Sequence, residues 1–265
     1  MEILAPYGGV GCPAAALFDF DGTLSTLRRG WEDVMEPMML ELLSGGQPDD
    51  ALIAEVRAYI DASTGIQTIH QMKWLAAEVA ARRPDAGLPD DPWWYKAEYN
   101  RRLMEPVGER LARVQSGIDH PDQYTVAGCR AFLQALRDRG VRICVASGTD
   151  DVDVRREADL LGLAAYFDEL AGAPAGQESC SKEAVLKRLV DENGLGGSDL
   201  VVIGDGRVEI ALGSSLGGRC LGLATDEYAG RGVNPVKRRR LAAAGAHAIA
   251  GDFLELSEIL AWMGF

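Results

Sequence analysis

The chain has little positive charge. Lysine and arginine number 27 against 40 aspartates and glutamates, for a formal net charge of −13. Sequence-independent nucleic-acid binding rests on basic side chains neutralising phosphates, so this balance argues against it. A small anionic substrate stays open, because a binding site needs only a few local cations. No apolar run approaches the ~20 residues of a membrane span. The first residues lack a basic stretch leading into an apolar one, so no secretory signal is read there. The five cysteines, Cys12, Cys129, Cys144, Cys180 and Cys220, are odd in number and scattered, with no C-x-x-C pair. That pattern argues against a disulfide framework and a zinc site, and it points to reduced thiols in a cytoplasmic protein. There is no internal repeat and no long low-complexity linker. His120 and His247 carry no readable signal.

What is present is a chain of 265 residues with 47% apolar content, enough for a core plus an insertion. Ala14 to Phe20 reads as a short buried strand. From about Thr26 to Tyr124 the apolar residues recur at helical spacing, as in Val34, Met35, Met38, Met39, Leu42 and Leu43. Asp49–Asp61 and Pro92–Val114 also read as helices. From Val126 strands and helices alternate. Helices are expected at Cys129–Arg139 (with Gly140 just past its end), from Asp150 to about Leu161, at Lys182–Asn193 (ending at Gly194), Pro235–Ala244 and Phe253–Met263. Strands are expected at Val141–Ala146, Asp199–Ile203, Arg219–Ala224 and Ala246–Ala250. Thr149 or Asp150, and Ser179 or Ser181, are the expected helix caps. Such alternation favours a parallel sheet covered on both faces. The expected organisation is therefore an α/β core from residues 1–25 and 126–265, interrupted by a helical module at 26–125.

Asp19 and Asp21 sit two residues apart after the first apolar strand. Residues i and i+2 of a strand point the same way, and in open α/β sheets ligands bind at the carboxyl ends of the strands. Two like charges this close need a cation or a shared proton. The pair is thus a hard-metal site, an acid/base pair, or a carboxylate nucleophile with a helper. Three further signals follow in the same setting: Ser147-Gly148 after Ile143–Ala146, Lys182 at a helix start, and Gly204-Asp205-Gly206 with Glu209. Together they suit phosphoryl transfer. Asp19 and Asp205 can share Mg2+, which prefers oxygen ligands. Ser147, the Gly148 amide and Lys182 can hold phosphate oxygens. One carboxylate can attack phosphorus while its neighbour moves protons.

These motifs, in this order, resemble the haloacid dehalogenase-like (HAD) hydrolase superfamily. Asp19-Phe20-Asp21-Gly22-Thr23 is similar to its first motif, Ser147 to its second, Lys182 to its third, and Gly204-Asp205-Gly206-x-x-Glu209 to its fourth. The resemblance implies a Rossmann-like core with an inserted cap of the C1 type. It implies Asp19 as nucleophile and Asp21 as general acid/base. It also implies Mg2+ held by Asp19, the Asp21 carbonyl and Asp205, with Glu209 standing where the family more often has aspartate. Gly22, Ser147, Gly148 and Lys182 are the expected phosphate-binding residues, and Lys187 is the fallback for Lys182. The second aspartate, with Thr23, favours phosphate-ester hydrolysis over carbon–halogen or carbon–phosphorus cleavage. The expected function is a Mg2+-dependent phosphatase acting on a small phosphorylated metabolite, such as a sugar or polyol phosphate. The alternatives are a phosphomutase of the same family and an idle metabolite-binding regulator.

Substrate-reading candidates lie in the insertion. Arg28 and Arg29 either meet a second anionic group or form a solvated hinge. Gln67 and His70 belong either to a substrate-reading loop or to a helix start. Arg101 and Arg102 are weaker candidates, and Trp93-Trp94-Tyr95 reads as packing. Lys237-Arg238-Arg239-Arg240 reads as a solvated helix, with a nucleic-acid or sorting role as the alternative.

Overall fold

The computed structural model describes residues 1–9, 11–178, 181–193 and 197–265. Its centre is a seven-stranded sheet built from β1 (Glu2–Ile3), β2 (Ala15–Phe18), β3 (Arg142–Asp150), β4 (Glu169–Ala173), β5 (Leu200–Gly204), β6 (Arg219–Leu223) and β7 (Ala248–Ala250). The strand order is β1-β7-β6-β5-β2-β3-β4. All neighbours are parallel except β1 against β7. β2, β5, β6 and β7 are buried along their whole lengths, as expected for parallel strands covered on both faces. That is why their sequences read as unbroken apolar runs such as Leu200-Val201-Val202-Ile203.

The insertion after β2 is built from four helices: α1 (Trp31–Ser44), α2 (Asp50–Ala62), α3 (Thr68–Arg82) and α4 (Pro92–Gln115). Their starts follow local chemistry. Asp49 accepts the Leu52 amide at 2.8 Å and Asp91 accepts the Trp93 amide at 3.0 Å, with Pro92 as the first helical residue. The four helices bury a core of their own, including Met35, Met38, Met39, Val56, Met72, Leu75, Tyr95 and Val107. The remaining helices, α5 (Cys129–Arg137), α6 (Asp151–Leu160), α7 (Ser181–Asn193), α8 (Arg207–Ser215), α9 (Pro235–Ala243) and α10 (Leu256–Met263), accompany the sheet. Two apolar cores flank it, one around Phe18, Phe20, Phe132 and Phe253 and one around Leu17, Val202, Ile210 and Leu241.

The expected α/β class is observed, with several adjustments. β2 ends at Phe18 rather than Phe20. The Asp19 amide still extends the ladder by donating to Ile203 O at 3.0 Å. The chain then turns, with Gly22 at φ +76° and the Leu24 and Ser25 amides both reaching Phe20 O. β3 runs past Ala146 to Asp150, with a register shift between those residues, so Ser147, Gly148 and Thr149 sit on the strand's extension. Asp150 precedes α6 but makes no side-chain capping bond; its carboxylate is taken by Lys96 and Asn100 instead. α10 starts at Leu256 rather than Phe253. β1 and β4 were not expected, the first because it is two residues long, the second because Glu-Leu-Ala-Gly-Ala carries no β-branched or aromatic pattern. The expected residues Ser179 and Gly194 lie outside the described residues, as does the side chain of Ser181. Among the described residues no helix is long and apolar enough to cross a membrane.

Candidate active site

The carboxyl ends of β2, β3 and β5 converge, as their register requires: Phe18 pairs with Val145 on one side and Ile203 on the other. Asp19, Ser147 and Asp205 therefore lie on neighbouring strand ends. Asp19, Asp205 and Glu209 are buried, and each offers one carboxylate oxygen within 4.8 Å of the others. Lys182, from the first turn of α7, is 3% exposed. Its Nζ lies 2.9 Å from Asp19 Oδ1 and 2.9 Å from Glu209 Oε2. Lys187, on the same helix, is exposed. Glu209 Oε1 accepts the Gly206 amide at 2.6 Å, so this side chain caps α8 while its other oxygen faces the cluster.

Burial holds the Asp19 carboxyl well above the ordinary carboxylate range; Lys182 opposes the rise, and Glu209, Asp205 and Asp21 add to it. Asp205 goes the other way. Burial works against its charge, but Lys237 and Arg240 outweigh it and hold this carboxyl low.

The Asp21 carboxylate is not one of the trio. Its Oδ2 accepts from Thr149 Oγ1 at 2.8 Å and Ser147 Oγ at 3.2 Å. Its Oδ1 is buried without a hydrogen-bond partner among the described residues, with Arg28 Nε 3.9 Å away. Arg28 is 8% exposed and is not a solvated hinge. It makes a bidentate pair with Glu157 of α6, at 2.6 and 3.1 Å, and ties the start of the insertion to the core.

A cavity of ≈ 120 Å3 opens above Asp19, Asp21, Ser147, Gly148, Lys182 and Asp205. Its opposite wall comes from the insertion, with Thr64, Gly65 and Ile66 of the α2–α3 connection and side chains of α1, α3 and α4. The insertion sits close to the core there. A Cβ on Gly148 would lie 3.3 Å from Ile66 O, and one on Gly206 3.1 Å from the Gly65 Cα. Arg28 lines this cavity. Arg29, Gln67, His70, Arg101 and Arg102 do not. Arg29 stacks over Tyr124, Gln67 is buried ahead of α3, and His70 is in its first turn. Arg101 and Arg102 pair with Glu98 on the outer face of α4. Gly22 does not line the cavity either. A Cβ there would stand 2.3 Å from Asp205 Oδ2, so a glycine lets the first turn pass beneath that carboxylate.

The basic run of α9 differs most from expectation. It is not uniformly solvated: Lys237 is 8% and Arg240 7% exposed. Lys237 Nζ contacts Asp205 Oδ2 at 2.6 Å and Glu227 Oε1 at 2.5 Å. Arg240 reaches Asp61 and Thr64 of the insertion at 3.2 and 3.1 Å. The two are three residues apart and share a face with Leu241, a spacing that could have separated them from Arg238 and Arg239 in the sequence. Lys237→Met should strand the Asp205 and Glu227 carboxylates. A loss of about 3–5 kcal/mol in urea unfolding is expected, as for one partner removed from a buried ion pair. Glu227→Gln in that background should recover part of it, and no recovery would argue against the pairing.

A haloacid dehalogenase-like hydrolase family model matches residues 13–217, a span that holds every residue of the cluster except Lys237 and Glu227. The chain belongs to the haloacid dehalogenase-like hydrolases. It is 25% identical over 253 residues to the phosphoglycolate phosphatase of Rhodospirillum rubrum, covering 96% of this chain and 92% of that one. It is 26% identical over 208 residues to a 5'-nucleotidase of Pseudomonas aeruginosa, covering 78% and 80%. Among solved structures, a predicted phosphoglycolate phosphatase from Haemophilus somnus superposes with a TM-score of 0.63 at 17% identity, covering 95% of this chain and 99% of that one. The β-phosphoglucomutase of Clostridium difficile gives 0.60 at 13% identity, covering 95% and 97%. At these identities the structural neighbours establish the fold alone.

Proposed function

We propose that this chain is a Mg2+-dependent phosphatase that hydrolyses a small phosphorylated metabolite through an aspartyl-phosphate. The observation that carries the reading is the buried trio of Asp19, Asp205 and Glu209 beside Lys182, of which Asp19, Asp205 and Lys182 line the cavity. The donor set suits the metal: all three side chains offer oxygen, as a hard cation requires. Counted as ionised, Asp19, Asp205, Glu209 and Glu227 exceed Lys182 and Lys237 by two negative charges, which one divalent cation would balance. Asp19, Asp205, Glu209 and the Asp21 carbonyl would hold it. Bound there, Mg2+ would neutralise charge on the phosphate oxygens and relieve carboxylate repulsion.

The chain's own residues supply the remaining chemistry. Ser147, the Gly148 amide and Lys182 hold the phosphate. An Asp19 oxygen attacks phosphorus as the ester oxygen leaves, and Asp21, protonated, gives its proton to that oxygen. Asp21, now ionised, then takes a proton from water, which attacks the phosphorus and releases phosphate from Asp19. The insertion acts as a cap that shields this step from bulk water. The names of two curated relatives, a phosphoglycolate phosphatase and a 5'-nucleotidase, support hydrolysis.

A panel of phosphomonoesters, read by phosphate release, tests the proposal. Turnover with Mg2+, its loss in EDTA and its return on adding Mg2+ are expected. Rearrangement of a sugar phosphate without phosphate release would instead identify a mutase. Background release across the panel, equal in wild type and Asp19→Asn, would identify an idle binding protein.

A further inference from the structure

The far wall of the cavity carries a polar group that the proposed chemistry does not use. Lys96 and Asn100 lie one turn apart on α4 and project together. Lys96 Nζ pairs with Asp150 Oδ1, and Asn100 Nδ2 donates to Asp150 Oδ2 at 3.3 Å. All three line the cavity that holds Asp19 and Asp21. Lys96 is the one cation that α1–α4 bring to this lining among the described residues, and a core carboxylate already balances it. Arg28, the other cation on that side, is held by Glu157 at 2.6 Å. The wall opposite the phosphate floor therefore offers an ammonium, an amide and a carboxylate with no unpaired charge.

A hydroxyl both donates and accepts, so it can take a bond from Lys96 or Asn100 and give one to Asp150. A second anionic group could only accept. It would have to compete with Asp150 for Lys96 while lying against a like charge. The cavity volume of ≈ 120 Å3 corresponds to the liquid volume of about four waters. That room suits a phosphate with a short carbon chain rather than a large leaving group. Trp31, Met35 and Leu103 give that chain apolar wall to lie on.

Resting on the phosphatase reading above, we propose that the substrate is the phosphate monoester of a short, uncharged polyol. Lys96, Asn100 and Asp150 bind its hydroxyls, and Asp150 turns away an otherwise similar ester that ends in a carboxylate. This separates the chain from what the names of its phosphoglycolate phosphatase relatives suggest.

The test uses the full chain with Mg2+ and compares glycerol phosphate with phosphoglycolate, with p-nitrophenyl phosphate as a reference ester whose activated leaving group carries neither a hydroxyl nor a carboxylate. Wild type should show a kcat/KM at least about tenfold higher for glycerol phosphate. Asp150→Asn, which removes the like charge, should move the ratio toward phosphoglycolate by at least about tenfold. Lys96→Gln should raise KM for glycerol phosphate with little change in kcat, and its thermal melt should show that it folds. A wild-type preference for phosphoglycolate, or a ratio unmoved in a folded Asp150→Asn, overturns the proposal. Turnover of p-nitrophenyl phosphate alone, with neither short ester cleaved, also overturns it and leaves the phosphatase reading standing. Absence of turnover on all three overturns it as well, and background release across the wider panel of phosphomonoesters would remove the reading on which it rests.

Discussion

Asp19→Asn is expected to lower kcat for phosphate release by about ten-thousandfold or more, as loss of a covalent nucleophile does. The amide is uncharged and does not form the acyl phosphate, and it can no longer pair with Lys182, whose Nζ stands 2.9 Å from Asp19 Oδ1. The variant should nonetheless fold, and in EDTA at neutral pH it should melt above wild type. The sign follows from the site. Burial raises the Asp19 carboxyl well above its ordinary range, against the pull of Lys182 and with help from Glu209, Asp205 and Asp21. A group raised in this way contributes stability that is complete below its unfolded pKa and lost as pH rises through its folded one. Near neutral pH a buried carboxylate among carboxylates is a cost, and asparagine removes it. Catalytic function and stability oppose each other at this position. Activity within tenfold of wild type would show that Asp19 is not the nucleophile. A lower melting temperature would show that its bond to Lys182 outweighs the repulsion.

Asp21→Asn is expected to lower kcat by about a hundredfold to ten-thousandfold, the range for loss of a general acid/base. Thr149 and Ser147 hold Asp21 Oδ2 at 2.8 and 3.2 Å, while Oδ1 has no hydrogen-bond partner among the described residues. One oxygen is thus fixed, while the other, buried beside Arg28, is committed to no hydrogen bond. The loss should depend on the ester. An alkyl phosphate needs a proton on its departing oxygen, whereas p-nitrophenolate leaves without one. With p-nitrophenyl phosphate the variant should give a burst of p-nitrophenolate and then turn over slowly, because water is no longer deprotonated. Full turnover in Asp21→Asn would sink the acid/base role. A first step unslowed for either ester would confine Asp21 to the water step.

Much of this site was legible because its residues lie in short, strand-linked motifs. Asp19, Ser147 and Asp205 each follow an apolar run, and a parallel sheet aligns such runs so that their ends meet. Lys182 could be placed by its position in a helix's first turn. Arg28, Lys96, Asn100, Lys237 and Glu227 had no such frame. Arg28 looked like a hinge residue because its partner, Glu157, is 129 positions away. Asp150 looked like a helix cap because Asp is a good one, yet its carboxylate is engaged across the cavity by α4. Lys237 looked solvated because four basic residues stand in a row, and helical spacing buried two of them.

The sequence by itself determined the α/β class, the helical insertion and the residues at the cavity floor. These depend on local periodicity and on the rule that parallel strands present their carboxyl ends on one side. Only the tertiary structure decided which charges neutralise which. Lys237 reaches Asp205 across 32 positions and Lys96 reaches Asp150 across 54, and no local pattern encodes such pairings. They follow from how the helices of the insertion and α9 pack against the sheet edge. Buried charges are stable only with partners, so that packing sets where positive charge remains unspent. In this protein it gathers buried carboxylates and Lys182 at the floor and leaves the charges of the far wall paired.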